Sequence, residues 1–242
     1  MEKMTNEQIL KEGCEKLGLS IDDNRINKLI KYKDILVEWN KFMNLTGITE
    51  DREVMIKHFL DSLSCLSLDY IKKDSSVIDV GTGAGFPGIP IRIYHDEVKL
   101  TLLDSLNKRI KFLQEVCTQN NLDNVDFVHG RAEDIGKKKE YREKYDIAVA
   151  RAVARLNVLC EYCLPFVKVG GYFICQKGPT INEELEEGKK AISILGGELV
   201  EKVDIHIPYT DLSHNVVVIR KVKNTPNKYP RKAGTPNKNP LI

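Results

Sequence analysis

The spacing of apolar residues along the chain changes near residue 70. Up to residue 67, apolar positions recur every three or four residues, which is the period of a helix with one buried face. From residue 76, short runs of β-branched and apolar residues alternate with segments of helical period. Such alternation is typical of a parallel sheet with helices on both faces. The pattern therefore predicts a helical segment followed by an α/β domain.

The helical segment predicts three helices. Thr5 and Gln8 have the spacing of a capping box that opens the first helix. Asp22 or Asp23 caps the second helix, which is expected to end in an Asn-rich loop over residues 39–47. The third helix is expected over residues 51–66. It would place His58 and Asp61 three residues apart on one face, where a structural pair is favoured over a catalytic one.

The α/β segment predicts seven strands and five helices. Strands are expected near residues 76–80, 99–104, 125–129, 145–150, 171–176, 198–207 and 215–222. Helices are expected near residues 88–95, 107–121, 132–143, 155–167 and 181–195. Because no helix separates the last two strands, they are expected to form an antiparallel pair.

A glycine-rich turn follows the first of these strands. Gly81, Gly83 and Gly85 alternate with small residues ahead of the next helix. Glycine lets a backbone approach a ligand closely, and the following helix offers free N–H groups. The carboxylate of Asp79 would repel a pyrophosphate but suits a ligand that carries a cation, such as S-adenosylmethionine with its sulfonium and amine. A tight turn without a ligand is the plain alternative.

The same glycine-rich segment allows a second interpretation. Gly83-Ala-Gly85-Phe-Pro-Gly88 fits the G-x-G-x-x-G dinucleotide fingerprint, which would make the protein a nicotinamide-dependent oxidoreductase. In that fingerprint the first glycine follows the strand directly, and here Gly81 holds that position. The methyl donor is therefore favoured. Five βα units and a final hairpin also complete the sheet of a class I S-adenosylmethionine-dependent methyltransferase, so the predicted fold class is α/β, Rossmann-like, with a seven-stranded mostly parallel sheet and an N-terminal helical extension.

Composition narrows the setting of the protein. The chain has 242 residues, 42% of them hydrophobic, which is ordinary for a globular protein. It shows no apolar run of membrane-spanning length and no signal peptide, so a soluble cytoplasmic protein is expected. The six cysteines are expected to be reduced thiols in the core. Cys160 and Cys163 form a lone C-x-x-C, for which packing is favoured over metal binding.

The net charge of +2 is unevenly distributed. Residues 220–242 hold seven Lys or Arg and no acid, so the rest of the chain carries 30 basic against 35 acidic residues. A mildly acidic body with a basic tail predicts a polyanionic partner. The expected division is a helical extension at 1–70, a methyltransferase domain at 71–223 and a Pro- and Asn-rich tail at 224–242. The tail has too few apolar residues to order on its own.

Polar residues end successive predicted strands, where an open α/β sheet binds its ligands. Asp104 ends the second strand, about twenty residues after the glycine turn, where a carboxylate can accept the ribose hydroxyls or cap a helix. Ala132 and Glu133 follow the third strand and would face the adenine edge, unless Glu133 only favours a helix start. Arg151 ends the fourth strand. It would meet the methionine carboxylate or an RNA phosphate, or pair with Asp79 or Glu133.

Motifs throughout the chain match those of one family. They are Asn40-Lys-Phe-Met-Asn-Leu-Thr46, His58-Phe-Leu-Asp-Ser-Leu63, Asp79-Val-Gly-Thr-Gly-Ala-Gly-Phe-Pro-Gly88, Leu103-Asp-Ser-Leu-Asn-Lys-Arg109, Gly130-Arg-Ala-Glu133, Ala150-Arg-Ala-Val-Ala-Arg155, Gln176-Lys-Gly178 and Tyr229-Pro-Arg-Lys-Ala-Gly-Thr-Pro236. The chain resembles the glucose-inhibited division protein B family, the bacterial small-subunit ribosomal RNA guanine-N(7) methyltransferases. The Gly-Phe-Pro-Gly turn and the Ala-Arg-Ala segment are specific to that family.

The resemblance implies methyl transfer from S-adenosylmethionine to the N7 atom of one guanine in 16S rRNA of the small subunit. Family cofactor positions correspond to Gly81, Phe86, Ala132, Glu133 and Arg151. Together with Asp79, Gly83 and Asp104, they make up the expected cofactor site. Guanine N7 has a free lone pair and no proton to lose, so no general base, catalytic residue or metal is expected.

The RNA is expected to meet local basic patches, because the body of the protein is acidic. The candidates are Lys108, Arg109, Lys177, Arg231 and Lys232. Charges that only solvate a mobile tail are the alternative for the last two. A non-enzymatic RNA-binding assembly factor with a degenerate cofactor fold is the remaining rival, which the intact Asp79, Gly81 and Gly83 disfavour.

Overall fold

Seven strands form one sheet in the computed structural model of the protein, which describes residues 4–151, 154–178, 181–211 and 213–242. The strands are β1 (Ser76–Val80), β2 (Lys99–Asp104), β3 (Val125–His129), β4 (Tyr145–Arg151), β5 (Val167–Lys177), β6 (Gly197–His206) and β7 (Ser213–Lys221). Their order is β3-β2-β1-β4-β5-β7-β6. The first five strands run parallel, and β7 is antiparallel to both β5 and β6. The predicted α/β class and the final antiparallel pair are confirmed.

The helices follow the predicted pattern. The N-terminal region holds α1 (Asn6–Lys16), α2 (Asp23–Met43), and a third helical stretch made of α3 (Asp51–Val54), a π-helical turn (Met55–Leu60), α4 (Asp61–Leu63) and a 3-10 turn (Ser64–Leu68). The sheet carries α5 (Gly88–Tyr94), α6 (Asn107–Gln119), α7 (Ala132–Ile135), α8 (Leu156–Cys163) with a 3-10 turn (Leu164–Phe166), and α9 (Ile181–Ile194). A last short helix, α10, spans Thr235–Lys238. The Thr5–Gln8 capping box forms as predicted.

Two predicted helix boundaries are wrong. The second helix continues through residues 39–43 and ends at Asn44, whose φ of 49° is the left-handed conformation of many helix C-termini. The helix expected at residues 132–143 stops at Ile135. Beyond it, Arg142 turns back and donates to the carbonyl oxygens of Gly136 (3.2 Å) and Tyr229 (2.8 Å). The segment after α7 is therefore shaped by contacts with the C-terminal tail.

The N-terminal helices share one apolar core with a face of the sheet. Leu29 and Leu36 of α2 belong to the same buried cluster as Val149 of β4 and Val218 of β7. Tyr32, fully buried, stacks on Phe86 with ring centroids 5.4 Å apart and donates its hydroxyl to the carbonyl oxygen of Ala84. The helical segment thus packs directly on the turn that follows β1.

The opposite face of the sheet is covered by α8, α9 and the tail.

All six cysteines are buried thiols, and burial raises the pKa of Cys160 and Cys163 well above the ordinary thiol value. This agrees with packing as the role of the C-x-x-C pair. Across the described ranges, no helix combines the length and apolar character that a membrane crossing requires.

The tail is docked on the sheet domain, although its composition predicts too few apolar residues to order it on its own. Tyr229 joins the buried cluster under α8, and the carbonyl oxygen of Thr225 accepts from Arg142 at 2.7 Å. Lys221 is fully buried, with its ammonium donating to Leu164 (2.6 Å) and Val167 (3.1 Å) carbonyl oxygens. Polar contacts with the body therefore order a segment that lacks enough apolar surface to order itself.

Candidate cofactor site

A pocket of about 530 Å³ opens at the carboxyl ends of β1, β2 and β3. This is the edge where a doubly wound sheet places its ligand. The wall is made of backbone and side chains from the loops after these strands, from α8 and from the tail. It consists of Val80, Gly81, Leu103, Asp104, Ser105, Leu106, Arg109, Gly130, Arg131, Ala132, Glu133, Ala154, Tyr162, Gly234 and Asn237.

The glycine turn forms the end of the pocket at β1. Gly81, Gly83 and Gly85 have φ of 72°, 61° and 98°, a left-handed region that side chains rarely adopt. A Cβ added at Gly83 would meet only the Gly81 carbonyl oxygen, 4.0 Å away, so open space lies beside it. At Gly85 an added Cβ would lie 2.5 Å from the Tyr32 hydroxyl. The turn therefore needs glycine both for its backbone shape and for close packing.

Asp79 lies beneath this turn and does not line the pocket. Its Oδ2 accepts from Thr82 Oγ1 and from Gly88 N, both at 2.8 Å. Its Oδ1 is buried and has no hydrogen-bond partner among the described residues. Burial raises the pKa of Asp79 to about 6, although both hydrogen bonds act in the opposite direction. The described contacts of Asp79 are therefore with the turn itself, whose backbone it holds in place.

Asp104 is the central acid of the pocket wall. Its Oδ2 accepts from Gly83 N (2.9 Å) and from the Arg109 guanidinium (3.3 Å), and its Oδ1 accepts from Leu106 N (2.8 Å). A carboxylate oxygen can accept about two hydrogen bonds, so Oδ1 retains capacity for one more donor. Asp104 therefore ties the glycine turn to the start of α6 and can accept one ribose hydroxyl without losing a present partner.

Ala132 and Glu133, from the loop after β3 and the start of α7, line the pocket. Glu133 is 5% exposed, and its Oε1 accepts from Gly234 N of the tail at 2.8 Å. The structure thus joins this acid to a residue a hundred positions away in the chain. The alternative role of Glu133, in which its charge favours the start of a helix, is compatible with this contact because Glu133 lies in the first turn of α7.

Phe86 and Arg151 belong to a second cluster, outside the lining of the pocket. The Arg151 guanidinium lies 4.8 Å from the centre of the Phe86 ring. It pairs with Asp61 (2.7 Å) and donates to His58 Nδ1 (3.3 Å). The pairing of Arg151 with Asp79 or Glu133 that the sequence left open is wrong, because its carboxylate partner is Asp61 on α4.

The same cluster brings together three motifs that are far apart in the sequence, those that contain Asn40, His58 and Arg151. Asn40 Oδ1 accepts from the backbone N of Leu45 (2.6 Å) and Thr46 (2.9 Å), which shapes the loop after α2. Thr46 Oγ1 then lies 2.8 Å from His58 Nε2. His58 and Asp61 do not pair with each other. Both contact Arg151, His58 from the π-helical turn and Asp61 from the start of α4.

The His58 ring is neutral in this arrangement. A guanidinium can only donate, so His58 Nδ1 accepts from Arg151 and the ring proton lies on Nε2, facing Thr46. Burial and the Arg151 charge lower the pKa of His58 to about 4. The ring also stacks on Phe86, with centroids 4.5 Å apart. Both nitrogens are engaged, so His58 positions Arg151 and Phe86 and is not free to act as a base.

His214 of β7 is the titrating member of this cluster. Its Nδ1 lies 2.5 Å from Asp61 Oδ1, and this hydrogen bond raises the pKa of His214 against the opposing effects of burial and Arg151. A raised folded-state pKa stabilises the fold below the ordinary value of 6.5, and this contribution is lost as the pH rises through the folded-state pKa. We expect His214→Gln to lower the melting temperature at pH 6 and to have a smaller effect at pH 9. Melting temperatures of the wild type and the variant, measured over that pH range, check this expectation. In a protein that carries Asp61→Asn, His214→Gln should change the melting temperature equally at pH 6 and pH 9.

Three of the five cations expected at the RNA are instead held by acids. Lys177 has a side chain only 9% exposed and pairs with Glu184 at 2.7 Å. Arg231 pairs with buried Glu161 at 2.6 Å. Arg109 pairs with Asp104 on the pocket wall. These three cations are engaged within the protein, whereas Lys108 and Lys232 are exposed.

Several pocket residues escaped the sequence reasoning. Tyr162, Gly234 and Asn237 come from α8 and the tail, which no strand-end rule connects with the glycine turn. Ser105 and Leu106 follow Asp104 directly, so their place after β2 could have predicted them as pocket residues. For Gly234, the only signal was the match of residues 229–236 to a family motif, which does not indicate a position in the fold; Asn237 lies outside that motif.

Comparison with known proteins identifies the family. Residues 25–212 match the family model of rRNA small subunit methyltransferase G. The chain is 63% identical to ribosomal RNA small subunit methyltransferase G of Alkaliphilus oremlandii over 98% of this chain and 100% of that protein. It is 60% identical to the protein of the same name from Alkaliphilus metalliredigens, again over 98% of this chain and 100% of the relative.

A solved structure supports the fold alone. P. horikoshii TYW2, crystallised in complex with MeSAdo, superposes with a TM-score of 0.52 at 18% identity, covering 67% of this chain and 62% of that one. Identity this low carries no residue roles across. The family model and the two relatives cover most or all of the chain, and the sheet has the class I order. The chain therefore belongs to the rRNA small subunit methyltransferase G family, whose members are S-adenosylmethionine-dependent methyltransferases of ribosomal RNA.

Proposed function

We propose that this protein transfers a methyl group from S-adenosylmethionine to N7 of one guanine in 16S rRNA of the small subunit, by in-line attack without a general base. The observation that carries the proposal is the pocket at the carboxyl ends of β1 to β3, built from Gly81, Asp104 and Glu133. Family membership supplies the reaction class, and the pocket supplies a site for the donor.

The residues present fit the donor. Space opens beside Gly83 where any other residue would place a side chain. Asp104 Oδ1 keeps one acceptor position for a ribose hydroxyl. Leu103, Leu106 and Tyr162 add apolar surface on which a purine ring can pack. When bound, S-adenosylmethionine supplies an electrophilic methyl group on sulfur.

The protein's part in the reaction is alignment. Guanine N7 carries a lone pair and no proton, so no side chain has to remove one. Holding two reactants in line can account for up to roughly 7–11 kcal/mol of the barrier. The Asp61–Arg151–His58 cluster is suited to this task, since each polar group in it is fixed by a partner from a different element. We assign Arg151 to hold an anionic group, either the donor's carboxylate or an RNA phosphate.

The RNA side rests on the exposed cations that remain. Lys108, at the start of α6, lies next to the pocket residues Leu106 and Arg109. Phe42 of α2 is 66% exposed, and Lys108 Nζ reaches the carbonyl oxygen of the adjacent Met43 at 3.5 Å. An exposed aromatic ring beside a cation is a surface on which an unstacked base can rest. Lys232 supplies a second phosphate contact from the tail.

A methyl-transfer assay with a matched pair of glycine variants tests the proposal. Gly81 and Gly18 have φ of 72° and 74°, so a valine imposes similar backbone strain at both, but only Gly81 lines the pocket. Gly18 has nothing within 4 Å of an added Cβ. We expect wild type and Gly18→Val to methylate small subunits from an unmodified strain, with 7-methylguanosine found in digested 16S rRNA. Gly81→Val should lose most of its affinity for S-adenosylmethionine and most of its activity.

Two outcomes would count against the proposal. Wild-type affinity in folded Gly81→Val would place the donor elsewhere. No methyl incorporation by the wild type, on either naked rRNA or small subunits, would favour a non-enzymatic assembly factor.

A further inference from the structure

The C-terminal tail reaches the cofactor pocket. Gly234 and Asn237 line it together with Glu133 and Tyr162. The tail was expected from its charge to meet the RNA, yet these two residues line the pocket at the ends of the strands. The tail therefore contributes residues to the pocket as well as the exposed cations Lys228, Lys232 and Lys238.

Two acids of the body hold the tail in this position. Glu161 of α8, with a side chain 1% exposed, accepts from the Arg231 backbone N (2.7 Å) and from its guanidinium at Nε (3.0 Å) and Nη2 (2.6 Å). Glu133 accepts from Gly234 N. These contacts bracket residues 231–234 on both sides of the turn that leads into α10.

The tail is also anchored upstream of this bracket. Tyr229 is buried among apolar side chains of α8 and the sheet, and Arg142 donates to its carbonyl oxygen. Pro236, between Gly234 and Asn237, is buried as well. The position of Asn237 is thus set by a series of buried or hydrogen-bonded residues, and the pocket wall that it forms is preorganised.

We propose that residues 229–238 are a wall of the cofactor pocket and that Asn237 contacts the adenine ring of the donor. This inference rests on the proposed function and deepens it. Because Gly234 is bonded to Glu133, the tail lies at the adenine side of the pocket, opposite the glycine turn. A carboxamide offers an N–H donor beside a carbonyl acceptor, an arrangement that complements an edge of adenine. A tail residue, far from every strand end, thereby contributes to selection of the nucleobase.

Binding measurements on two asparagine variants test this inference. Asn237 and Asn239 are both exposed residues of the tail, but only Asn237 lines the pocket. We expect Asn237→Ala to bind S-adenosylmethionine about tenfold more weakly by calorimetry, at an unchanged melting temperature, while Asn239→Ala binds as the wild type does. The same tenfold loss is expected for 5′-methylthioadenosine, which has the adenosine end and lacks the amino acid.

The outcomes separate this inference from the proposed function. Equal affinities of Asn237→Ala and wild type for both ligands would overturn it, and so would a loss seen with S-adenosylmethionine alone, because the contact would then lie at the amino-acid end. A wild-type protein that binds neither ligand would instead contradict the proposed function itself.

Discussion

Reversing the charge of Arg231 to Glu is expected to lower the free energy of unfolding by about 3–5 kcal/mol. The Arg231 guanidinium compensates Glu161, a carboxylate that is almost completely buried under the tail. In the variant, a second carboxylate would lie against Glu161, whose side chain is only 1% exposed and would have lost its compensating charge. Because residues 229–238 would leave the pocket, affinity for S-adenosylmethionine should fall as well. Urea unfolding and calorimetric titration of the variant measure the two effects.

The neighbouring residue gives the matched control. Lys232 is exposed, so Lys232→Glu changes the net charge by the same amount without breaking a buried pair. We expect its stability and cofactor affinity to match the wild type, while its binding to small subunits weakens and becomes less dependent on salt. If Arg231→Glu were as stable as Lys232→Glu, the contact with Glu161 would not hold the tail on the body of the protein. The tail would then be a mobile basic segment, as its composition suggests.

Replacing Asp104 by Ala is expected to weaken S-adenosylmethionine binding by about tenfold to a hundredfold, the range for loss of hydrogen bonds to a charged group. The change removes the acceptor facing the ribose position. It also releases Gly83 N, Leu106 N and the Arg109 guanidinium from their common partner. The glycine turn would then lose its tie to α6. Calorimetric titration with S-adenosylmethionine measures the effect.

A second acid on the same part of the sheet separates this effect from a general loss of charge. Asp126 lies on β3 opposite Thr101 of β2 and is exposed, with its side chain outside the pocket lining. We expect Asp126→Ala to bind the donor as the wild type does. Equal, unchanged affinity in Asp104→Ala and Asp126→Ala would show that Asp104 only ties the glycine turn to the start of α6.

The elements of the fold were predictable because their signals are local. The β-branched run at residues 76–80 became β1, and the capping box at Thr5 opened α1, since both depend on neighbours only a few residues apart. Asp104 was predictable for a related reason: a carboxylate at the end of β2 must lie beside the turn after β1 wherever the two strands pair in parallel. The alternation of strands and helices predicts the parallel part of the sheet in the same way.

The fate of the charged residues was decided only by the tertiary structure. Arg231 and Lys232 are adjacent and chemically alike in sequence, yet the first is held by Glu161, seventy residues away, and the second lies in water. Likewise, Asp79 and Glu133 were the alternative partners that the sequence offered for Arg151, and the structure pairs it with Asp61 instead. A charge is free or engaged according to which distant group packs against it, and burial of that group makes the pairing strong. Periodicity and composition carry no record of such partners, so the sequence by itself determined the sheet, the glycine turn and Asp104, while packing of the tail on α8 and α7 decided the rest of the pocket.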